Sequence, residues 1–193
     1  MLKIAIIIGS TRDARFAPVP AQWIYDVAKE NGELQVEIVD LKTFDLPFFN
    51  EKSSNAWAPS QDPKAVAWQK KIGEFDGYII VTAEYNHSIT AALKNAFDQA
   101  YVEWGNKPIG FLGYGGVGAA RAIEHARAIA IELHMVPVRT GIHIGGGEYI
   151  QVVHKKQPMT AIASVILPSA QEMIKELVWW GNATKAARVL SKK

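Results

Sequence analysis

The apolar residues of this chain fall into short blocks whose period changes along the sequence. Residues 2–8 (LKIAIII) form a β-branched run that ends at Gly9. A run apolar on both faces suits a central strand of a parallel sheet. After Pro18 and Pro20 the spacing turns helical, with Trp23, Ile24, Val27 and Ala28 on one face as far as Asn31 and Gly32. Residues 34–39 read as a second strand. The Pro-, Asn- and Ser-rich segment 41–63 reads as a long loop, a kind that is uncommon and often functional. Asp62 as N-cap and Pro63 at the first position open the next helix, with Val66, Ile72 and Phe75 toward the core. A third strand (78–82), a loop (83–88) and a helix (89–101) follow. Then come a fourth strand (108–112), a glycine-rich turn (113–118) and an Ala- and Ile-rich helix (119–133). A short fifth strand spans 136–138, and 141–158 is glycine-rich and irregular. The last helix starts at Ala161 or Pro168 and ends at Leu190.

Strands alternating with helices at this spacing mean βαβ units and a parallel sheet with helices on both faces. Five strands in a single α/β domain, residues 1–193, favour the flavodoxin-like doubly wound order 2-1-3-4-5 over the dinucleotide-fold order. In that order ligands bind beyond the carboxyl ends of the strands, where the winding reverses between strands 1 and 3. The loops 9–16, 83–88 and 113–118 therefore converge.

Composition narrows the chemistry. The chain has 193 residues, 49% of them apolar, which is ordinary for a folded domain. It has no cysteine, which excludes disulfides, iron–sulfur clusters, a thiol nucleophile and thiolate metal sites. A net charge of +2 gives no general nucleic-acid footprint. No apolar stretch is long enough for a membrane span, and the N-terminal run is too short for a signal peptide, so a cytoplasmic protein is expected.

The three loops have distinct chemistry. The first reads GSTRDAR, residues 9–15. Ser10 and Thr11 offer hydroxyls, Arg12 and Arg15 offer forks matched to a phosphate, and the following helix start adds N–H groups. A polar loop with solvated arginines, partly offset by Asp13, is the plainer alternative. The second loop, TAEYNHS at 82–88, offers an aromatic (Tyr85), an amide (Asn86) and backbone donors to a flat heterocycle. Capping by Ser88 or Thr90 with a turn at Asn86 is compatible with that. His87 has no partner near it in sequence and reads as inert. The third, GYGGVG at 113–118, formally matches a dinucleotide fingerprint through Gly113, Gly115 and Gly118. It follows the fourth strand rather than the first, and no acid ends the next strand. The glycines are better read as letting backbone lie against a flat ligand, or as a tight start to the helix.

These loops resemble the NAD(P)H-dependent FMN reductases, flavodoxin-like enzymes that include quinone, azo and chromate reductases. The resemblance rests on GSTRDAR (9–15), EYNHSITAALKNAFD (84–98) and YGGVGAAR (114–121), in that order over residues 1 to about 140. It implies one non-covalent FMN per subunit, near the interface of a homodimer or homotetramer. It maps the phosphate to Ser10, Arg12 and Arg15, the isoalloxazine edge to Glu84, Tyr85, Asn86 and Ser88, and the ring face to Gly115 and Gly116. Thr90 departs from a common proline, and Asp13 and Ala14 from small residues or glycine.

A flavin carries the hard step, so neither a catalytic residue nor a metal ligand is assigned. The resemblance implies that NAD(P)H gives hydride to flavin N5 and a quinone-like small acceptor then takes two electrons, in ping-pong order. Backbone N–H groups would stabilise the negative charge on the reduced flavin. A flavodoxin-type electron carrier is the alternative, disfavoured by the slightly basic chain and two arginines in the first loop. A NAD-binding dehydrogenase using 113–118 lacks its ribose-binding acid. Phe48, Phe49 and Trp57 in the long loop suit a flavin face, a subunit seam or simple packing. Tyr101 and Trp104 suit a subunit contact or the core, since aromatics are enriched in both, and Val178, Trp179 and Trp180 a core or interface. Lys94 and Asp98 are spaced for an i,i+4 pair. Arg121, His125 and Arg127 read as solvated helix positions.

Overall fold

The computed structural model describes residues 1–191. Five parallel strands lie in the order β2-β1-β3-β4-β5. They are β1 (Leu2–Ile8), β2 (Leu34–Asp40), β3 (Gly77–Ala83), β4 (Pro108–Tyr114) and β5 (Val136–Ile144). Parallel strands require crossovers, and helices supply them here on both faces. From Ile4 to Ile8 the β1 run is wholly apolar because it is covered twice. Ile4, Ile6 and Ile8 face one core with α1 (Pro18–Ala28) and α6 (Ala163–Leu190). Ala5 and Ile7 face the other with α2 (Pro63–Gly73), α3 (Ala91–Asp98) and α4 (Ala120–Glu132). The register sets Ile8 beside Asp40 and Val81, and Ala83 beside Tyr114, so the loops after β1, β3 and β4 emerge together.

Several expected boundaries shift. Strand β5 runs on to Ile144, into the segment expected to be irregular. It is an edge strand, and its half-exposed positions carry Arg139, Thr140 and His143 rather than an apolar run. The short helix α5 (Gly146–Tyr149) leads into a wide π turn over Ile150–His154. Pro168 lies inside α6 and gives up only one helix bond near its start. Val66 points to solvent, 44% exposed, while Ile72 and Phe75 are buried as expected. Trp104 is a core residue and not a surface contact, 1% exposed against Trp68, Tyr78 and Phe97. Trp179 and Trp180 are outside the core, 64% and 39% exposed on α6.

Candidate functional site

The switch point between β1 and β3 is pinned before any ligand is considered. The Gly9 amide donates to Val81 O at 2.9 Å. Thr90 caps α3 by accepting from the Leu93 amide at 3.1 Å, and its hydroxyl donates to the Gly9 carbonyl. Proline at that position has no side-chain donor, so the departure from the family pattern adds a tie between the loop after β1 and α3.

The two arginines of the β1 loop part company. Arg15 folds inward, with only 11% of its side chain exposed. It donates to Asp40 at 2.8 and 2.5 Å and to the Ser10 carbonyl at 2.5 Å. That bidentate fork fixes the loop against the end of β2. Arg12 is exposed, and among the described residues no carboxylate pairs with it. Its guanidinium lies 5.6 Å from the Tyr85 ring centre, bridging the β1 and β3 loops. Asp13 is paired with Lys42, so its charge is engaged outside the loop. Ser10 is 1% exposed, and its hydroxyl lies beside the Tyr114 side chain without forming a hydrogen bond of ordinary geometry among the described residues.

The β3 loop is a tight hairpin. Tyr85 and Ser88 exchange two backbone hydrogen bonds, at 2.9 and 3.0 Å. Asn86 and His87 occupy its two central positions at φ 51° and 68°. That is the primed turn geometry, which asparagine tolerates well. Asn86 and His87 are thereby held out at the tip. Glu84 faces α4, 7% exposed. It accepts from Arg121 Nε at 2.6 Å and from the amides of Arg121 and Ala122 at 3.2 and 3.4 Å. Burial alone pushes its carboxyl pKa up, but the Arg121 side chain and these amides outweigh burial and hold it below the ordinary value. Its carboxylate therefore satisfies the start of α4, a favourable place for negative charge.

The glycines of the β4 loop fall into two groups. A methyl group on Gly113 would meet Gly118 O at 2.6 Å and Ala119 Cβ at 2.7 Å, so Gly113 serves tight packing. Gly118, at φ 63°, serves the turn itself. At Gly115 and Gly116 a methyl group would meet nothing within 4 Å. Those two open into free space. The turn is held from the β5 side, where Gly115 N donates to Ile144 O and Gly146 N to Gly116 O, both at 3.1 Å. Of the formal fingerprint, then, Gly113 and Gly118 act inside the fold.

Together the three loops frame an open surface. Tyr85, with Phe16 packed edge-on against Tyr114 at 5.3 Å, gives it aromatic sides. Gly115 and Gly116 leave one face bare, and Arg12 with the Ser10 hydroxyl marks a polar end. Such a surface suits a flat heterocycle with an anionic tail. No three His, Cys, Asp or Glu residues gather for a metal among the described residues.

Of the three α4 side chains expected to be solvated, Arg121 and His125 are exposed and Arg127 is half-buried, and each also has a partner. Arg121 binds Glu84, and His125 Nδ1 lies 2.9 Å from Ser88 Oγ. Arg127 donates to the carbonyls of Val138 and Arg139 at 2.5 and 2.9 Å. Arg121 and His125 are four apart on one helix face. That spacing was the available signal that both look toward the β3 loop. Lys94 and Asp98 do form their i,i+4 pair, at 2.7 Å.

A protein-family model described as NADPH-dependent FMN reductase matches residues 2–148. An NAD(P)H-dependent FMN reductase of Nectria sp. is 31% identical over 156 residues, covering 76% of this chain and 78% of the relative. An NADPH:quinone oxidoreductase of Arabidopsis thaliana is 32% identical over 144 residues, covering 70% and 71%. Among solved structures, the Paracoccus denitrificans flavoenzyme FerB, an NAD(P)H:(acceptor) oxidoreductase, superposes with a TM-score of 0.70 at 21% identity, covering 92% of this chain and 97% of that one. That last likeness concerns the fold.

Proposed function

Because the chain belongs to the NADPH-dependent FMN reductase family, we propose that its three converging loops hold FMN while electrons pass from NAD(P)H to a quinone-like small acceptor. The observation that carries this is the meeting of the exposed Arg12 and the buried Ser10 hydroxyl after β1 with the bare faces of Gly115 and Gly116 after β4. The residues present fit the group at both its ends. Arg12 and Ser10 would meet the phosphate, and Arg15 would brace their loop from behind through Asp40. Tyr85, Asn86 and Ser88 would border the ring with the hairpin backbone, which Glu84 anchors to α4. Gly115 and Gly116 would lie under the ring.

When bound, FMN supplies two-electron chemistry that side chains lack. The chain's own part is orientation. The fixed hairpin and glycine turn hold amide dipoles in place before a ligand arrives, which lowers the cost of meeting developing charge. Donor and acceptor use one open face in turn, giving ping-pong kinetics. Intersecting initial-rate lines that require both substrates bound together would overturn that order. The family resemblance carries the further proposal of a homodimer or homotetramer with the flavin near the seam. Sedimentation of the FMN-loaded protein as a monomer at micromolar concentration would overturn it.

The deciding test is a visible spectrum of the purified protein with added FMN, followed by anaerobic NADPH. Protein-bound flavin bands that bleach are expected. Bands that resist both NADPH and NADH would identify an electron carrier, and failure to bind FMN would remove the reading.

A further inference from the structure

A cleft of about 550 Å³ lies between the β1 loop, the segment after β2 and the start of α3. Thr11, Lys42, Asp45, Leu46, Phe48 and Asn95 line it. Its volume is in the range of small-molecule sites. None of the groups assigned above to FMN lines it, but Thr11 sits between Ser10 and Arg12, so the cleft adjoins the flavin surface.

Phe48 makes this cleft unusual. Its side chain is 81% exposed, while the backbone on each side of it is tied down. Asn95 Nδ2 and Gln99 Nε2 donate to Pro47 O at 2.8 and 2.6 Å, and the Phe49 amide donates to Asn95 Oδ1 at 3.0 Å. Three hydrogen bonds to Asn95 in α3 and to its C-cap Gln99 thus hold the segment that presents this ring to solvent at a cleft wall. The wall beside it is also fixed. Asp40 caps the 3-10 turn Leu41–Thr43 through the Lys42 amide at 3.0 Å and receives Arg15 on its other side. Lys42 ends in an ion pair with Asp13, a carboxylate 97% exposed. Exposed pairs of this kind contribute little, so the ammonium can turn to a competing phosphate at small cost.

A rigidly held aromatic face, a hydroxyl and a displaceable cation in one cleft match a purine nucleotide. We propose that this cleft binds the adenine nucleotide half of the NAD(P)H donor, with adenine stacked on Phe48 and phosphate oxygens at Lys42 and Thr11. The proposal rests on the reading of the chain as an NAD(P)H oxidoreductase, and it assigns that donor a place.

The test is calorimetric titration of the FMN-loaded protein with adenosine 2′,5′-bisphosphate and with 5′-AMP, a readout that needs no turnover. Phe48→Ala is expected to weaken both ligands by about 5- to 100-fold, the range for losing one base–aromatic stack. Phe48→Trp restores binding, which separates stacking from damage to the loop. Lys42→Ala weakens the bisphosphate by about tenfold, as for one lost charge-assisted bond. Unchanged affinities in Phe48→Ala, or no nucleotide binding by a protein whose flavin NADPH still bleaches, overturn the cleft and leave the proposed function intact. A Phe48→Ala protein that loses FMN instead of nucleotide also overturns it, since the cleft would then belong to the flavin. A protein whose FMN never bleaches defeats the functional reading, and a measured Phe48-dependent nucleotide affinity would still decide the cleft.

Discussion

At the N-terminal end of the sheet, Asp76 receives Lys185 at 2.7 Å and Arg188 at 3.0 Å, and the Lys3 amide at 3.1 Å. The Tyr78 hydroxyl accepts from Lys107 at 3.0 Å and lies within reach of the Ile72 and Glu103 carbonyls. Trp68 donates to Ala96 O at 2.8 Å, and the rings of Trp68, Tyr78 and Phe97 pack edge-on against Trp104. At the C-terminal end of the same strands, among the described residues, the Ser10 hydroxyl makes no well-formed hydrogen bond, Arg12 pairs with no carboxylate, and Gly115 and Gly116 face open space. One end is closed on itself and the other keeps groups in reserve. The contrast separates parts that stabilise the fold from parts available to a ligand, and it assigns each residue a measurable class of effect.

The largest expected effect is Trp104→Ala. Its indole N–H makes no hydrogen bond among the described residues, so the change removes packing alone. A loss of about 3–5 kcal/mol in urea denaturation is expected, typical for a buried aromatic. The FMN affinity of the folded fraction should hold. Selective loss of flavin instead would break the division between the two ends.

Arg12→Ala is the mirror case. FMN binding should weaken by about 1.5–3 kcal/mol, the cost of a lost charge-assisted bond. The unfolding midpoint without FMN should move little, because among the described residues Arg12 has no ion pair and only an exposed contact with the Tyr85 ring. An unchanged FMN dissociation constant would remove Arg12 from the site.

Asp76 sharpens the comparison through pH. Burial pushes its carboxyl up, but Lys185, the Lys3 amide and Arg188 outweigh burial and hold it below 3.8. The unfolded chain then binds this proton at higher pH than the folded one does. The contribution is present above 3.8 and fades as pH falls through the lowered folded value. Asp76→Asn should cost about 1–3 kcal/mol at neutral pH, less than a fully buried pair because Lys185 is partly exposed. It should also flatten the acid limb of the stability curve, and a limb identical to wild type would reject the assignment.

The smallest expected effect is Glu84→Gln, where the clamp between the β3 loop and α4 loses its charge. About 0.5–1 kcal/mol of stability should go, as for weakening a helix cap. Flavin affinity should fall by a few-fold, since the hairpin above Glu84 becomes less fixed. A Glu84→Gln protein that loses stability and keeps full affinity would make Glu84 a cap and nothing more.

Residues 2–8, 18–28 and 77–83 announced the fold, because a parallel strand covered twice must be apolar throughout and a half-buried helix must not. The same logic failed for β5, whose edge position allows polar residues every few places. It left Trp104 and Trp179 open between core and interface because an aromatic residue alone does not say whether it faces in or out. Loop chemistry was legible as composition: hydroxyls and arginines after β1, glycines after β4.

Sequence alone therefore determined the sheet, its order and the three loops that meet at its carboxyl end, since those follow from local period and the winding rule. The tertiary structure decided which member of each chemically similar set is free. Arg15 is held by Asp40 while Arg12 is open, and Gly113 is crowded while Gly116 is bare. His125 reaches Ser88 across 37 residues of chain. Such distinctions depend on partners far apart in sequence, and only folding brings those partners within bonding distance.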